Sequence, residues 1–311
     1  MINYEYKKIE DILNNLDKKD HFEELDESTI ISTELSKELE KYLKLTKYSV
    51  LGIDIYKYSS FPPLAQSLIP FIFKKLRYET NNDILKYDKY LFQKYDKEKM
   101  NDLFIDTGDG GFFIFETPLH SVGYAIQFEK NLRSFNSFHF YPKLRNIINE
   151  LSIRYTITFD DLYKFDNNYY GAGIINNARI ISKDKLNRCL LDENSYQWFL
   201  KYFNGIESLQ RIDDYYISKI NIFKSSYKIE LLNTEALSTY NKLYKNNIIV
   251  YGILNCCIQK IGTIESKGQK VLIYNLHLQY LYALEDETKK GKKANFVLSL
   301  GNLNASGIFI D

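Results

Sequence analysis

The sequence predicts an α+β fold with a helical N-terminal segment and a small β-rich C-terminal domain, and three observations carry that prediction. Leu103-Phe104-Ile105 and Phe112-Phe113-Ile114-Phe115 flank a Gly-Asp-Gly-Gly turn, the pattern of a β-hairpin. From Tyr48 onward, apolar spacings follow in the order strand, helix, strand, strand, helix. After Asn233 three strand-like runs replace helical spacing. The predicted boundaries are 1–46 for the helical segment, 47–234 for the main domain and 235–311 for the tail.

In the first segment Leu35, Leu39 and Leu43 recur at helical spacing. Val50 to Ile55 reads as a buried strand. Ser59-Ser60 offer caps and Phe61-Pro62-Pro63 a helix start. Leu64, Leu68, Ile72 and Leu76 then form one face, with Pro70 expected to kink the helix. Residues 78–101 read as helix and loop. The hairpin is expected to turn through a two-residue loop in which Gly supplies positive φ. Thr117-Pro118 reads as N-cap and N1 of a helix to about Leu132. Ser152 to Phe159 alternates as a strand, Asp160 to Asn168 reads as a polar loop, and YYGAGIINNARIIS as a turn opening a helix. Ser195–Phe203 reads as helix, and Tyr215–Ile222 and Tyr227–Leu232 as the closing strands. In the tail, Ile248–Ile258, Val271–Ala283 and Asn295–Leu300 read as strands and Lys289–Lys293 as a solvated turn.

Composition excludes several classes. With 45% hydrophobic and 26% charged residues the chain is of globular type, and a net charge of +1 argues against a nucleic-acid-binding surface. Three cysteines, two of them adjacent, make no disulfide framework and fit a reducing cytoplasm. No apolar run suits a signal peptide or a membrane span, so no membrane partner is expected. The four histidines are scattered, Cys256-Cys257 lacks a matching zinc pair, and no Walker or GxGxxG motif occurs.

The chemistry centres on two carboxylates. Asp54 ends the apolar strand, where an unpaired charge is costly, and Asp109 sits at the hairpin tip. Brought together, they make a hard-oxygen site for Mg²⁺ or Mn²⁺ and a nucleotide's phosphates.

These residues resemble the class III nucleotidyl cyclases over about residues 47–232, through Asp54, the Gly108-Asp109-Gly110 turn, the Gly171 to Arg179 helix start and a late strand with Lys224. The Asp54-Ile55-Tyr56-Lys57-Tyr58-Ser59 segment and the β-rich tail look like the bacterial pyrimidine cyclases of Pycsar anti-phage systems. The resemblance implies a ferredoxin-like domain, a head-to-tail homodimer with shared active sites, a nucleoside triphosphate substrate, and two divalent cations per site held by Asp54, Asp109 and the Ile55 carbonyl. It implies that Arg179 stabilises transition-state charge. The matching asparagine falls between positions: Ile175 stands four residues before Arg179 and Asn176 three. Lys224, with Lys219 as runner-up, matches the lysine that grips the triphosphate. The tail is implied to be a sensor.

At the positions where purine cyclases of this family carry base readers stand Ile105 and Asn168. An apolar side chain and a carboxamide cannot reproduce purine pairing, and the carboxamide suits uracil or cytosine alike. Tyr58 either fills the space a purine would take or stacks on the smaller base. The expected product is a cyclic pyrimidine nucleotide, with UTP favoured over CTP. The rivals are a purine cyclase with an unusual pocket and an inactive nucleotide-binding dimerisation module.

Overall fold

The computed structural model describes residues 3–4, 11, 46–89, 91–165, 168–201, 211–213, 252–266, 269–285 and 293–301. The fold is α+β, organised on one mixed sheet. Its strands are β1 (Asn3–Tyr4), β2 (Thr46–Ile55), β3 (Phe104–Asp106), β4 (Gly110–Phe115), β5 (Ile153–Phe165), β6 (Asn168–Gly171), β7 (Cys189–Asp192), β8 (Arg211–Asp213), β9 (Gly252–Ser266), β10 (Gln269–Glu285) and β11 (Lys293–Leu300). The helices are α1 (Pro63–Tyr87), α2 (Lys97–Asp102), α3 (Pro118–Asn136), α4 (Pro142–Ile148), α5 (Ala172–Lys183) and α6 (Glu193–Leu200). The main path through the sheet is β3-β4-β2-β5-β7-β10-β9-β8. Within it, β2-α1-β3-β4-α3-β5 forms an antiparallel βαββαβ unit of ferredoxin-like order.

Alternation along β2 divides the core. Leu51 and Ile53 lie opposite Ile157 and Tyr155 of β5 on the face covered by α1 and α3, where Phe73, Phe113, Tyr124 and Phe128 pack in offset ring contacts. Val50, Gly52 and Asp54 point to the other face, which α5 covers beside Thr156 and Thr158. Ile180 of α5 continues this layer against Leu190, Ile264 and Ile273.

Several elements differ from the sequence reading. The hairpin turns through Thr107, Gly108 and Asp109, with positive φ at Gly108 and Thr107 N–H donating to the Gly110 carbonyl at 3.2 Å. Gly110 belongs to β4, where a Cβ would lie 2.1 Å from the Ile53 carbonyl oxygen, so its glycine serves close strand approach rather than the turn. Helix α1 runs through Pro70 from Pro63 to Tyr87, with no side-chain cap from Ser59 or Ser60. Thr117 is the N-cap of α3, but its hydroxyl bonds His120 Nδ1 at 2.7 Å instead of capping, and the helix reaches Asn136. Strand β5 continues through the expected loop to Phe165 and turns back as β6, because its polar residues gain ladder partners on both β2 and β6. Helix α4 was not foreseen.

The tail strands are hydrogen-bonded into the same sheet through β10 and β7. Most of 1–46, the strands expected at Tyr215–Ile222 and Tyr227–Leu232, and Lys219 and Lys224 lie outside the described residues. Among the described residues no helix is long and apolar enough to cross a membrane.

Candidate active site

Asp54 lies at the C-terminal end of β2, opposite Gly110 of the hairpin on one side and Arg154 of β5 on the other. The Ile55 amide donates to the Asp109 carbonyl at 3.1 Å, which locks the hairpin tip to β2. Burial pushes the Asp54 carboxyl above its ordinary pKa, Arg154 pulls it down, and the charge of Asp109 raises it again. Two carboxylates therefore share one end of the sheet, close enough to repel.

Arg154 completes this cluster and was not singled out in the sequence. Its Nε donates to Asp54 Oδ2 at 2.7 Å, Nη2 donates to the same oxygen, and Nη1 donates to the Asp184 carbonyl at 2.6 Å. The available signal was its place on the polar face of β5, in the alternation Arg154, Thr156, Thr158. Asp184 is buried in turn. Its Oδ1 accepts from Arg188 Nε at 2.9 Å and from the Leu186 amide at 3.1 Å.

Among the described residues no group of three or more His, Cys, Asp or Glu side chains has an arrangement that could hold a metal. Two carboxylates and a backbone carbonyl nonetheless suit Mg²⁺ or Mn²⁺, which take the rest of their shell from water and substrate phosphates. Among the described residues no donor occupies Asp54 Oδ1, and the repulsion between Asp54 and Asp109 is what a cation relieves. The donor set fits the group.

Ile105 is half-buried on β3, opposite Phe112, which in turn faces Gly52. It shares the face of Asp54 and lies two strands away, about 10 Å at ordinary strand spacing. Tyr58 is half-buried in the short 3₁₀ turn Tyr58–Ser60, and its hydroxyl donates to the Gln66 carbonyl at 3.0 Å. Asn168 is exposed at the start of β6, its Oδ1 accepting from the Tyr169 amide at 2.9 Å, and it pairs with Phe165. Between Arg154 and Phe165 the strand advances about 35 Å at the usual rise, so Asn168 and Asp54 of one chain stand at opposite ends of β5.

On α5, Asn177 is fully buried and its Nδ2 donates to the Val50 and Thr156 carbonyls at 2.8 and 2.9 Å. Arg179, two residues on and about 200° round the helix, faces away from the sheet. Asn176 Oδ1 accepts from Arg179 Nη1 at 3.4 Å, a weak bond within one helix, and Ile175 is exposed. The structure thus gathers Asp54, Asp109 and Ile55, brings Ile105 to the same face, and holds Asn168 far from them.

The chain matches no protein-family model, and no curated protein aligns with it. An adenylate/guanylate cyclase/hydrolase from Silicibacter pomeroyi superposes with a TM-score of 0.37 and 12% identity, over 75% of this chain and 96% of that one. Two structures of a bacterial light-regulated adenylyl cyclase superpose with TM-scores of 0.38 and 0.37 at 12% and 10% identity. They cover 62% and 81% of this chain, which spans 62% and 65% of theirs. Likeness this loose transfers no residue role.

Proposed function

We propose that this chain is a metal-dependent nucleotidyl cyclase that converts a pyrimidine ribonucleoside triphosphate, UTP before CTP, into its 3′,5′-cyclic monophosphate and pyrophosphate. The observation that carries the reading is the meeting of Asp54 and Asp109 at one end of the sheet, fastened by the Ile55–Asp109 backbone bond. In the reaction the 3′-oxygen loses its proton and bonds the α-phosphorus as the bond to the pyrophosphate oxygen breaks. Divalent cations, when bound, acidify the hydroxyl and offset triphosphate charge.

The protein's share is positional. Asp54, Asp109 and the Ile55 carbonyl hold the cations, with Arg154 steadying Asp54. Arg179, on the outward face of α5, supplies positive charge to the transition state, with Asn176 beside it and Lys224 on the triphosphate. Ile105 and Asn168 read the base, and Tyr58 limits the room for it. The separation of Asn168 from Asp54 along β5 supports a head-to-tail homodimer in which each site draws on both copies. A cyclic pyrimidine product fits a second-messenger signal in anti-phage defence, with the tail as sensor.

Incubation of the purified protein with each of the four nucleoside triphosphates and Mn²⁺ tests the reading. Cyclic UMP or cyclic CMP is expected, and dominant cyclic AMP or cyclic GMP overturns the pyrimidine assignment. The exposed Ile175, where related enzymes carry asparagine, favours a second reading as an inactive nucleotide-binding module. Absence of pyrophosphate release with every nucleotide would establish that one.

A further inference from the structure

We propose that the polar cavity between α3, the start of β5 and the end of the tail is a binding site for a small zwitterion of the amino-acid class, its carboxylate on Arg133 and its ammonium on Glu129. The inference goes beyond the cyclase reading and uses none of the residues assigned to that reaction.

The cavity, of about 120 Å³, has Glu129, Arg133, Glu150, Tyr155, Ser299 and Gly301 among its walls. Cavities of about 150 Å³ take up a ligand the size of benzene, so this one admits a molecule of a few heavy atoms. Its walls are almost wholly polar, which disfavours an apolar occupant. The tail's share of the wall is firmly seated. Gly301 follows β11 at φ +78°, and a Cβ there would lie 2.1 Å from the Leu276 carbonyl oxygen.

Two opposite charges line the cavity with bonding capacity left over. Glu129 is buried, its Oε1 accepting from Arg133 Nε at 3.1 Å and its Oε2 from the Tyr155 hydroxyl at 2.8 Å. A carboxylate offers about four acceptor sites, so each oxygen can take another donor. Burial pushes the Glu129 carboxyl up to about 7 despite both partners, so its charged form is under-compensated where it stands. Arg133 spends only Nε on Glu129. Among the described residues its Nη1 and Nη2 make no hydrogen bond, and the side chain is half-exposed. That open edge of a guanidinium matches a carboxylate.

Glu150, which is exposed, adds a second negative charge. A bare anion would therefore face two carboxylates against one guanidinium, and a bare cation would face Arg133. A molecule that carries both charges a few atoms apart meets each with its opposite.

The test is calorimetric titration of the full-length protein at pH 8, above the Glu129 value of about 7 and without nucleotide. Glycine, L-alanine and L-serine are the zwitterions, and acetate and methylammonium the single-charge controls. At least one zwitterion should bind with a Kd on the order of 1 mM or below, and both controls about tenfold more weakly. Arg133→Gln should weaken that zwitterion about tenfold and strengthen methylammonium, whereas Glu129→Gln should weaken it and strengthen acetate. A purely structural role predicts no such exchange of preference. Amide exchange at Ser299 to Gly301 should slow when the zwitterion is bound, and unchanged exchange there overturns the tail's part in the site. No saturable binding of any of the three zwitterions overturns the proposal and leaves a water-filled cavity. Controls that bind equally well, or variants that lose binding without exchanging preference, overturn it too. If Glu129→Gln fails to fold, Arg133→Gln at its half-exposed position decides alone. Because nucleotide is absent throughout, failure here leaves the cyclase reading intact, and failure of that reading leaves this site standing.

Discussion

Asn177 Oδ1 occupies the space that a side chain on Gly52 would need: a Cβ there would lie 2.1 Å from it. The amide cannot move aside, because Nδ2 is spent on the Val50 and Thr156 carbonyls and on Thr158 Oγ1 in a fully buried setting. Gly52→Ala should therefore destabilise the protein by about 3 kcal/mol, and adding Asn177→Ala should recover part of the loss. Urea unfolding of the two single variants and the double variant measures the coupling. Strictly additive costs would refute the steric account.

Tyr58 and Pro70 form a second pair. Pro70 has no N–H, so the Gln66 carbonyl four residues earlier has no helical donor, and the Tyr58 hydroxyl supplies one at 3.0 Å. Tyr58→Phe should cost about 1 kcal/mol. In a Pro70→Ala background, where residue 70 can donate, that cost should nearly vanish. An unchanged cost in both backgrounds would show that the hydroxyl matters for another reason.

Glu129 predicts a pH dependence of stability. Burial raises its carboxyl from 4.5 to about 7, against the opposing pull of Arg133 and the Tyr155 hydroxyl. The folded state then binds the proton more tightly than the unfolded chain, so this stabilisation is complete below about pH 4.5 and is lost as pH rises through 7. The span is roughly 3 kcal/mol at most. Asp192, raised by burial to about 6, tilts stability in the same direction. Unfolding free energies measured at pH 5 and pH 8 should differ less in Glu129→Gln than in the wild type. Equal slopes would place the titration elsewhere.

For the proposed activity, Asp54→Ala and Asp109→Ala should each lower turnover by at least about a thousandfold. The thermal midpoint should change little in Asp109→Ala and fall in Asp54→Ala, where the Arg154 guanidinium loses its partner. Mixing Asp109→Ala with Arg179→Ala subunits should restore partial activity through one intact composite site. Proven heterodimers without recovery would refute site sharing, and full activity in either aspartate variant would remove the cation assignment.

Much of the central unit was legible in the sequence. Strand β2 and the hairpin announce themselves through short apolar runs punctuated by glycine, and helix α5 through Gly171 followed by helical spacing. The arm made by the end of β5 and by β6 was not, because its aspartates, lysine and asparagine look like a loop until two neighbouring ladders satisfy their backbone groups. Of the candidate site, the order of Asp54 and Asp109 was visible. Arg154 was not, since a lone arginine on an alternating strand carries no sign of what stands across from it.

The sequence by itself determined the α+β class, the hairpin that carries Asp109 and the apolar strand that ends in Asp54, because these depend on local periodicity and on backbone preferences of neighbouring residues. Only the tertiary structure decided that Arg154 shares one carboxylate oxygen with Asp54, that Asn177 rather than Asn176 fastens α5 to the sheet, and that the tail strands join the sheet at β7. Each of these is a pairing between residues far apart in the chain, and strand register sets such pairings, which no local pattern encodes.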